Sequence, residues 1–216
     1  MLNWDPVNHY KEVAVAERYD RERFSSFSGK VFNRLEKATV AAAFRGVAPG
    51  TVILDVPCGT GRIAEALLEH GLNVEGVDIS GAMLDVARRK LARFGDRFKT
   101  RTADVKDLAL AAPKSFDVAL CARVLMHFPL DEQVAFLKAV TLLTRDLVVF
   151  TQSYSSPYQR FRRGVKRVLR NQAPAGYPIT DDDIATLLEG AGLREVRRLR
   201  PAAMISEAVI VVAKPV

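Results

Sequence analysis

Short apolar runs rich in β-branched residues alternate with helical patterns, and this alternation restricts the fold more than any other feature of the sequence. The apolar runs predict strands at 51–56, 73–78, 98–103, 116–121 and 146–151. Between them, the sequence predicts helices at 61–70, 80–94 and 131–143. Strands that alternate with helices form right-handed crossovers, so a mostly parallel sheet with helices on both faces is expected.

The end of the chain predicts a different strand pairing. A helix at 180–190 precedes apolar runs at 193–199 and 207–213, which are linked only by residues 200–206. A helical crossover does not fit in so short a link, so these two runs predict an antiparallel hairpin. The expected fold is α/β: a doubly wound, mostly parallel seven-stranded sheet with a C-terminal antiparallel hairpin strand. Residues 8–45 predict helices, with a break near 25–29.

Composition narrows the class of protein. No apolar run approaches the roughly 18 residues that span a bilayer, and the N-terminus lacks the pattern of a secretory signal. Two cysteines imply no disulfide framework, so a cytoplasmic location is expected. The net charge of +7, from 32 basic and 25 acidic residues, favours an anionic partner without identifying it.

The segment 52–64, VILDVPCGTGRIA, carries the strongest local signal. A buried strand runs into Gly59-Thr60-Gly61 and a helix follows at once, so the backbone can approach a ligand at the helix N-terminus. The glycines and Ala64 fit a dinucleotide fingerprint. However, Asp55 would repel a pyrophosphate and would instead accept hydrogen bonds from a cationic amino group. A third interpretation is a turn with a helix-capping aspartate.

Two further acids follow the next strands. Asp78 lies 19 residues after Gly59, near the spacing of an acid that binds ribose hydroxyls. This feature suits a nicotinamide dinucleotide equally well. Asp104 follows the third strand, where it can accept from the amino group of adenine while Val105 covers the ring. Alternatively, Asp104 is a solvated loop acid.

The motifs VILDVPCGTG, VEGVDIS, TADVKDL and FDVALCARVLMHF, in this order, resemble those of class I S-adenosylmethionine-dependent methyltransferases. The resemblance covers about residues 50–150. It implies that Asp55 and the glycines surround the methionine portion, that Asp78 binds the ribose, and that adenine lies between Ile79 and Val105. The full predicted cofactor set is Tyr19, Asp55, Pro57, Cys58, Gly59, Gly61, Asp78, Ile79, Met83, Asp104, Val105, Cys121 and Ala122. S-adenosylhomocysteine would be the product, and no metal site is predicted.

The sequence departs from the common family pattern at two places. Pro57 stands where the first glycine of the motif is usual, so this position donates no backbone hydrogen bond. Thr144-Arg145-Asp146 replaces a glycine pair that often precedes the fifth strand. Neither change is expected to alter the fold.

The resemblance also implies how a single methyltransferase domain, 1–216, is organised. It predicts an N-terminal helical lid at 1–46, in which Tyr10 and Tyr19 are candidates to cover the methionine group. The other predicted parts are a cofactor-binding half at 50–151, a basic substrate-side insertion at 153–177, and a C-terminal helix and hairpin at 178–216.

The methyl acceptor is less clearly indicated. His127 is the best candidate base, because the pKa of a histidine side chain lies nearest to neutral pH, and the alternative is a structural histidine that packs against the following helix. Arg123 either holds an acidic substrate group or forms a surface ion pair. The basic segment 160–170 either is a solvated helix face, binds an anionic small molecule, or contacts lipid headgroups or RNA. Nucleic acid is disfavoured because no aromatic stacking platform is evident, and membrane-surface contact is weakly supported.

The predicted function is therefore transfer of a methyl group to an O or N atom of a small molecule. An NAD(P)-dependent oxidoreductase and a non-catalytic cofactor-binding protein of the same fold remain as alternatives. Oligomeric state is not indicated.

Overall fold

A computed structural model describes residues 25–155, 176–201 and 207–216. Tyr10, Tyr19, the first part of the predicted lid and the basic segment 160–170 lie outside these residues. The predictions made for them therefore stay predictions.

The described residues form one seven-stranded sheet in the order β3-β2-β1-β4-β5-β7-β6. Its strands are β1 (Val52–Asp55), β2 (Asn73–Asp78), β3 (Phe98–Thr102), β4 (Phe116–Cys121), β5 (Thr144–Ser153), β6 (Leu193–Leu199) and β7 (Ala208–Pro215). The first five pair in parallel, whereas β7 runs antiparallel to both β5 and β6. The predicted sheet, including its antiparallel hairpin, is confirmed.

Six α-helices lie in the described parts of the chain. They are α1 (Phe27–Ala43), α2 (Arg62–Glu69), α3 (Gly81–Leu91), α4 (Val105–Ala111), α5 (Leu130–Leu143) and α6 (Asp181–Gly190). Two of them begin at serine caps: Ser26 Oγ accepts from Gly29 N at 3.1 Å, and Ser80 Oγ accepts from Met83 N at 3.3 Å. The break predicted near 25–29 is therefore the start of α1. None of the helices in this part of the protein has the length and apolar character to cross a membrane.

Three local features of the helices go beyond or differ from what the sequence predicts. The helix α4 was not expected, because its seven residues are too few to show a helical period. The helix predicted at 80–94 ends at Leu91 and continues as a 3₁₀ segment, Ala92–Arg97. At α6, Thr180 and Asp183 form a complete reciprocal capping box, with an aspartate in place of the more usual Glu or Gln. The carboxylate reaches the backbone N of Thr180 at 2.8 Å.

The core consists of two apolar layers, one on each face of the sheet. Ile53 and Leu54 are consecutive on β1 and both fully buried, but they belong to different layers because strand side chains alternate. One layer packs under α4, α5 and α6, through residues such as Leu108, Leu137 and Ile184. The other packs under α1, α2 and α3. Burial on both faces explains the nearly continuous apolar runs of the central strands.

The strand order reverses between β1 and β4, with β2 on one side and β5 on the other. Open α/β sheets bind ligands at such a switch point, outside the carboxyl ends of the strands. The residues that end β1, β2 and β4 are Asp55, Asp78 and Cys121. The fold therefore brings the predicted motifs to one edge of the sheet.

Candidate cofactor site

A cavity of about 210 Å³ opens at the switch point. It is lined by Asp55, Val56, Pro57, Cys58, Gly59, Thr60, Arg62, Ile63, Asp78, Ile79, Met83, Ala103, Asp104, Val105, Ala122, Arg123, Val124, His127, Phe128 and Phe136. Most of the predicted site residues are in this lining. Gly61 and Cys121 are not, and Tyr19 lies outside the described residues.

The two glycines of the loop have different roles. Gly59 adopts a left-handed conformation with φ 55°, a Cβ there would meet open space, and its N–H donates to Asp78 Oδ2 at 2.8 Å. Gly61 is also left-handed, with φ 69°, but a Cβ there would lie 2.6 Å from the Leu91 side chain. Gly61 therefore lets the loop pack on α3, while Gly59 keeps the backbone open toward the cavity.

Asp55 is the most unusual group in the cavity. It is 1 % exposed, and neither of its carboxylate oxygens has a hydrogen bond of normal geometry among the described residues. Burial raises its pKa to about 8, and the negative charge of Asp78 adds to this, while the Cys58 thiol and Arg62 act in the opposite direction. Such a carboxyl group suits a cationic ligand, whose arrival would supply the missing hydrogen bonds and charge.

Asp78 organises the loop as well as lining the cavity. Its Oδ1 accepts from Ser80 N at 2.9 Å while Oδ2 accepts from Gly59 N. Burial raises the pKa of this carboxyl group, and the backbone hydrogen bonds oppose the shift. Next to it, Ile79 is 39 % exposed although apolar, and it lies in the cavity wall. A flat apolar ligand group would cover this side chain.

Asp104 caps the unexpected helix α4, because its Oδ1 accepts from Lys106 N at 2.8 Å. It is only half-buried and lines the cavity beside buried Val105. Asp104 is therefore held in position by the helix that it caps. Met83, the residue that Ser80 caps, completes this side of the wall.

The cysteines are buried thiols. Cys121 is fully buried behind Ala122, which does line the cavity. Burial raises the pKa of Cys58 and of Cys121, with the charge of Asp55 adding to both shifts, so neither is a ready thiolate. Pro57 also lines the cavity, and the peptide bond between Val56 and Pro57 is cis.

Arg123 and His127 lie on the segment that follows β4. Arg123 has a left-handed backbone, φ 62°, and its N–H donates to Thr151 Oγ1 at 2.8 Å. His127 ends a 3₁₀ turn, Leu125–His127, and both residues face the cavity. This geometry places the two candidate catalytic residues beside the predicted cofactor residues.

An ion-pair cluster around the buried Glu36, which the sequence did not predict, lies at this site. Glu36 of α1, 1 % exposed, accepts from Arg62 Nη2 at 2.7 Å and from Arg123 Nη1 at 3.2 Å. Arg62 Nη1 also donates to Asn33 at 2.6 Å. The helix α1 is thereby tied to both sides of the cavity. No local pattern marks Glu36, because a single glutamate in a helix ordinarily faces solvent.

Two aromatic residues in the wall were also missed. Phe128 and Phe136 stack with ring centroids 6.3 Å apart, and both line the cavity. Within the described ranges, no group of three or more His, Cys, Asp or Glu side chains has a metal-binding arrangement.

Comparison with known proteins identifies the central part of the chain. Residues 53–146 match the family described as "Methyltransferase domain". A ubiquinone biosynthesis O-methyltransferase of Hahella chejuensis is 38 % identical over 85 residues, which are 39 % of this chain and 36 % of that protein. One from Xanthomonas campestris is 33 % identical over 103 residues, 48 % of this chain and 42 % of the relative. The chain thus spans about two fifths of the length of these curated relatives.

Solved structures extend the likeness over the whole chain. A magnesium protoporphyrin IX methyltransferase of Synechocystis, solved with bound S-adenosylhomocysteine, has a TM-score of 0.79 at 20 % identity and covers 97 % of this chain and 98 % of that one. A 1,6-didemethyltoxoflavin N1-methyltransferase of Burkholderia thailandensis has a TM-score of 0.67 at 18 % identity, covering 100 % and 92 %. At these identities the structures establish a shared fold. The matched domain, the order of the motifs and this shared fold support the predicted resemblance to class I S-adenosylmethionine-dependent methyltransferases.

Proposed function

We propose that this protein binds S-adenosylmethionine in the cavity at the switch point and transfers its methyl group to an O or N atom of a small molecule. The observation that carries the proposal is Asp55. A buried carboxyl group with no hydrogen bond of normal geometry among the described residues is costly unless a ligand completes it. The α-ammonium group of S-adenosylmethionine has the charge and the donors that Asp55 lacks.

The other residues of the wall fit the remaining parts of the same ligand. Asp78 accepts from the ribose hydroxyls, while its hydrogen bonds to Gly59 and Ser80 fix its orientation. The adenine ring lies between Ile79 and Val105, and Asp104 accepts from its amino group. Pro57, Cys58, Met83 and Ala122 supply apolar contact. We assign Gly61 and Cys121 to the support of this wall, because neither is in the lining.

S-adenosylmethionine supplies a methyl group that its sulfonium already activates. The chain's residues then have to exclude water, align the acceptor and manage its proton. For an oxygen acceptor, His127 takes the hydroxyl proton as the carbon–oxygen bond forms and the carbon–sulfur bond breaks. A neutral nitrogen acceptor needs only orientation, and its proton leaves to solvent. Arg123, at the same edge, would hold an acidic group of the acceptor.

The names of the relatives do not decide the class of the methyl acceptor. The ubiquinone biosynthesis enzymes match less than half of this chain, and the structural neighbours include an O-methyltransferase, an N-methyltransferase and a carbon methyltransferase. We propose a small acceptor with an ionisable hydroxyl group, whose proton His127 would take, or with an amine. If the acceptor carries an acidic group, Arg123 would hold it.

Two alternatives make different predictions. A nicotinamide dinucleotide carries a pyrophosphate in place of the cationic ammonium group, so it would supply neither the donors nor the positive charge that the buried Asp55 lacks. A non-catalytic protein would bind the cofactor and show no turnover. The cofactor class and the turnover therefore need separate measurements.

The deciding experiment is calorimetric titration with S-adenosylhomocysteine, NAD and NADP in parallel. Micromolar binding of S-adenosylhomocysteine alone is the expected result, whereas binding of NAD would overturn the proposal. A panel of phenols, carboxylic acids and amines is then screened for formation of S-adenosylhomocysteine. Cofactor binding without turnover on any acceptor would favour the non-catalytic protein.

A further inference from the structure

The cavity-lining segment after β4 is held by side chains that take no part in lining it. Residues 123–128 contribute Arg123, Val124, His127 and Phe128 to the wall. Apart from one 3₁₀ turn, this segment has no regular secondary structure of its own. Its position therefore depends on contacts from neighbouring elements.

Two buried glutamines make one of these contacts. Gln133 of α5 and Gln152 of β5 are both 0 % exposed. Gln133 Nε2 donates to the carbonyl oxygen of Phe128 at 2.7 Å, and Gln152 Nε2 donates to Gln133 Oε1 at 2.7 Å. Gln152 Oε1 accepts from Ser153 N at 2.8 Å. The three hydrogen bonds form a chain that links the end of β5 to Phe128.

Other contacts fix the rest of the segment. At its start, the N–H of Arg123 donates to Thr151, the residue before Gln152 on β5. In its middle, the carbonyl oxygen of Met126 accepts from Tyr177 N at 2.7 Å. Gly176 permits this approach, since a Cβ there would lie 2.7 Å from the Met126 oxygen. The end of β5 thus holds both ends of the segment.

A core built only for stability would not need two amides here. Burying polar groups is costly unless each is paired, and apolar residues of similar volume are often as stable. What apolar side chains cannot provide is a directed bond to one carbonyl oxygen. We propose that Gln133 and Gln152 are positioning residues that place the segment 123–128, and with it His127 and Arg123, against the cofactor cavity. The effect on ligand binding rests on the proposed function, whereas the effect on the segment does not.

The two glutamines are expected to differ in effect. Gln133→Leu removes the bond to Phe128 directly. Gln152→Leu leaves that bond in place and removes its support, together with the acceptor of Ser153 N. If the pair acts through Phe128, the first change disturbs the segment more than the second. A purely structural role would instead predict effects in proportion to the stability lost in each variant.

The test measures backbone hydrogen exchange and affinity for S-adenosylhomocysteine in the full chain. The amides of Arg123, His127 and Phe128 are hydrogen-bonded, so their exchange reports on the segment. Gln133→Leu should speed exchange there and weaken binding about three- to tenfold, the loss of one hydrogen bond. Gln152→Leu should have a smaller effect on both. Thr141→Val, which removes the buried hydroxyl bond to Leu137 on the same helix, is the matched control and should change neither.

The double variant separates positioning from stability. When both residues are changed to leucine, no glutamine side chain is left without the other. The double variant should therefore regain part of the stability lost in the single variants. It should not regain affinity, because Phe128 still lacks its donor. Recovery of affinity along with stability would overturn the proposal, as would unchanged exchange at 123–128 in Gln133→Leu. If Gln133→Leu does not fold, Gln152→Leu decides by the same two measurements. A wild-type protein that does not bind S-adenosylhomocysteine would refute the proposed function, and the exchange result would still decide the positioning role.

Discussion

Asp55 shows how one buried side chain can link ligand binding to pH. In the protein without ligand, burial raises its pKa to about 8, so the carboxyl group is mostly protonated at pH 7. A cationic partner stabilises the ionised form, so the proton has to leave when such a ligand binds. The affinity for S-adenosylhomocysteine should therefore rise with pH from 6 to 8.

Calorimetry at pH 7 in buffers of different ionisation enthalpy measures how many protons are released when the ligand binds. Close to one proton should be released per molecule bound, and Asp55→Asn should abolish the release. Wild-type binding without release would show that Asp55 does not meet the ammonium group.

The raised pKa of Asp55 also makes the stability of the unliganded protein depend on pH, with a sign opposite to that of the affinity. Because the folded-state pKa of Asp55 lies above the unfolded value of about 4, the folded protein holds a proton that the unfolded chain has lost. This group's contribution to stability therefore falls as the pH rises from about 4 to about 8.

Asp78 gives a second prediction for a single residue. Asp78→Ala removes the proposed ribose acceptor and leaves the N–H groups of Gly59 and Ser80 without their partner. The free energy of S-adenosylhomocysteine binding should weaken by about 1.5–3 kcal/mol, as measured by titration calorimetry. Asp85→Ala, at an exposed acid on the neighbouring helix, is the control and should bind normally. Normal binding by Asp78→Ala would refute the ribose assignment.

Among the helices, α1 is joined to the cavity by ion pairs rather than by the apolar residues that recur at helical spacing. Val31 and Leu35 fall at helical spacing but are at least 40 % exposed, whereas Glu36 is buried between Arg62 and Arg123. The pattern predicted the helix correctly. It could not predict the buried face, because this depends on two arginines far away in the sequence.

Breaking this cluster should therefore destabilise the protein. Glu36→Ala leaves the buried guanidinium group of Arg62 and the partly buried one of Arg123 without their shared carboxylate, which should lower the free energy of unfolding by about 3–5 kcal/mol. Glu69→Ala removes a surface partner of Arg93 and should cost less than about 1 kcal/mol. Urea unfolding of both variants makes the comparison, and equal losses would contradict a special role for the buried cluster.

The strands and the site were predictable to different degrees. Central strands such as β1 and β4 are buried on both faces, so their apolar runs alone identified them. The acids that end strands were predictable for the same reason, since strand ends meet at the switch point. Gln133, Gln152 and Phe136 gave no such signal, because their role arises from contacts between α5, β5 and the segment after β4. Nor did the sequence show that Gly61 serves packing against Leu91.

For the whole molecule, the position of the cavity couples ligand binding to the stability of the entire fold. The cavity wall takes residues from the ends of β1, β2 and β4, which are adjacent in the sheet and contribute to both apolar layers of the core. A ligand that bridges these strands binds only when the sheet is assembled. Binding to the folded state alone stabilises it by mass action.

Thermal unfolding in the presence of S-adenosylhomocysteine tests this coupling. At a concentration 100 times the Kd, binding should add about 2.7 kcal/mol, which for a domain of this size raises the Tm by roughly 5–11 °C. NAD at the same concentration is the control and should leave the Tm unchanged, since its pyrophosphate offers Asp55 neither hydrogen-bond donors nor a positive charge. Asp55→Asn should lose most of the shift while still unfolding in a single transition. An equal shift with NAD would mean that the cavity recognises the nucleoside common to both ligands, and that Asp55 does not select between them.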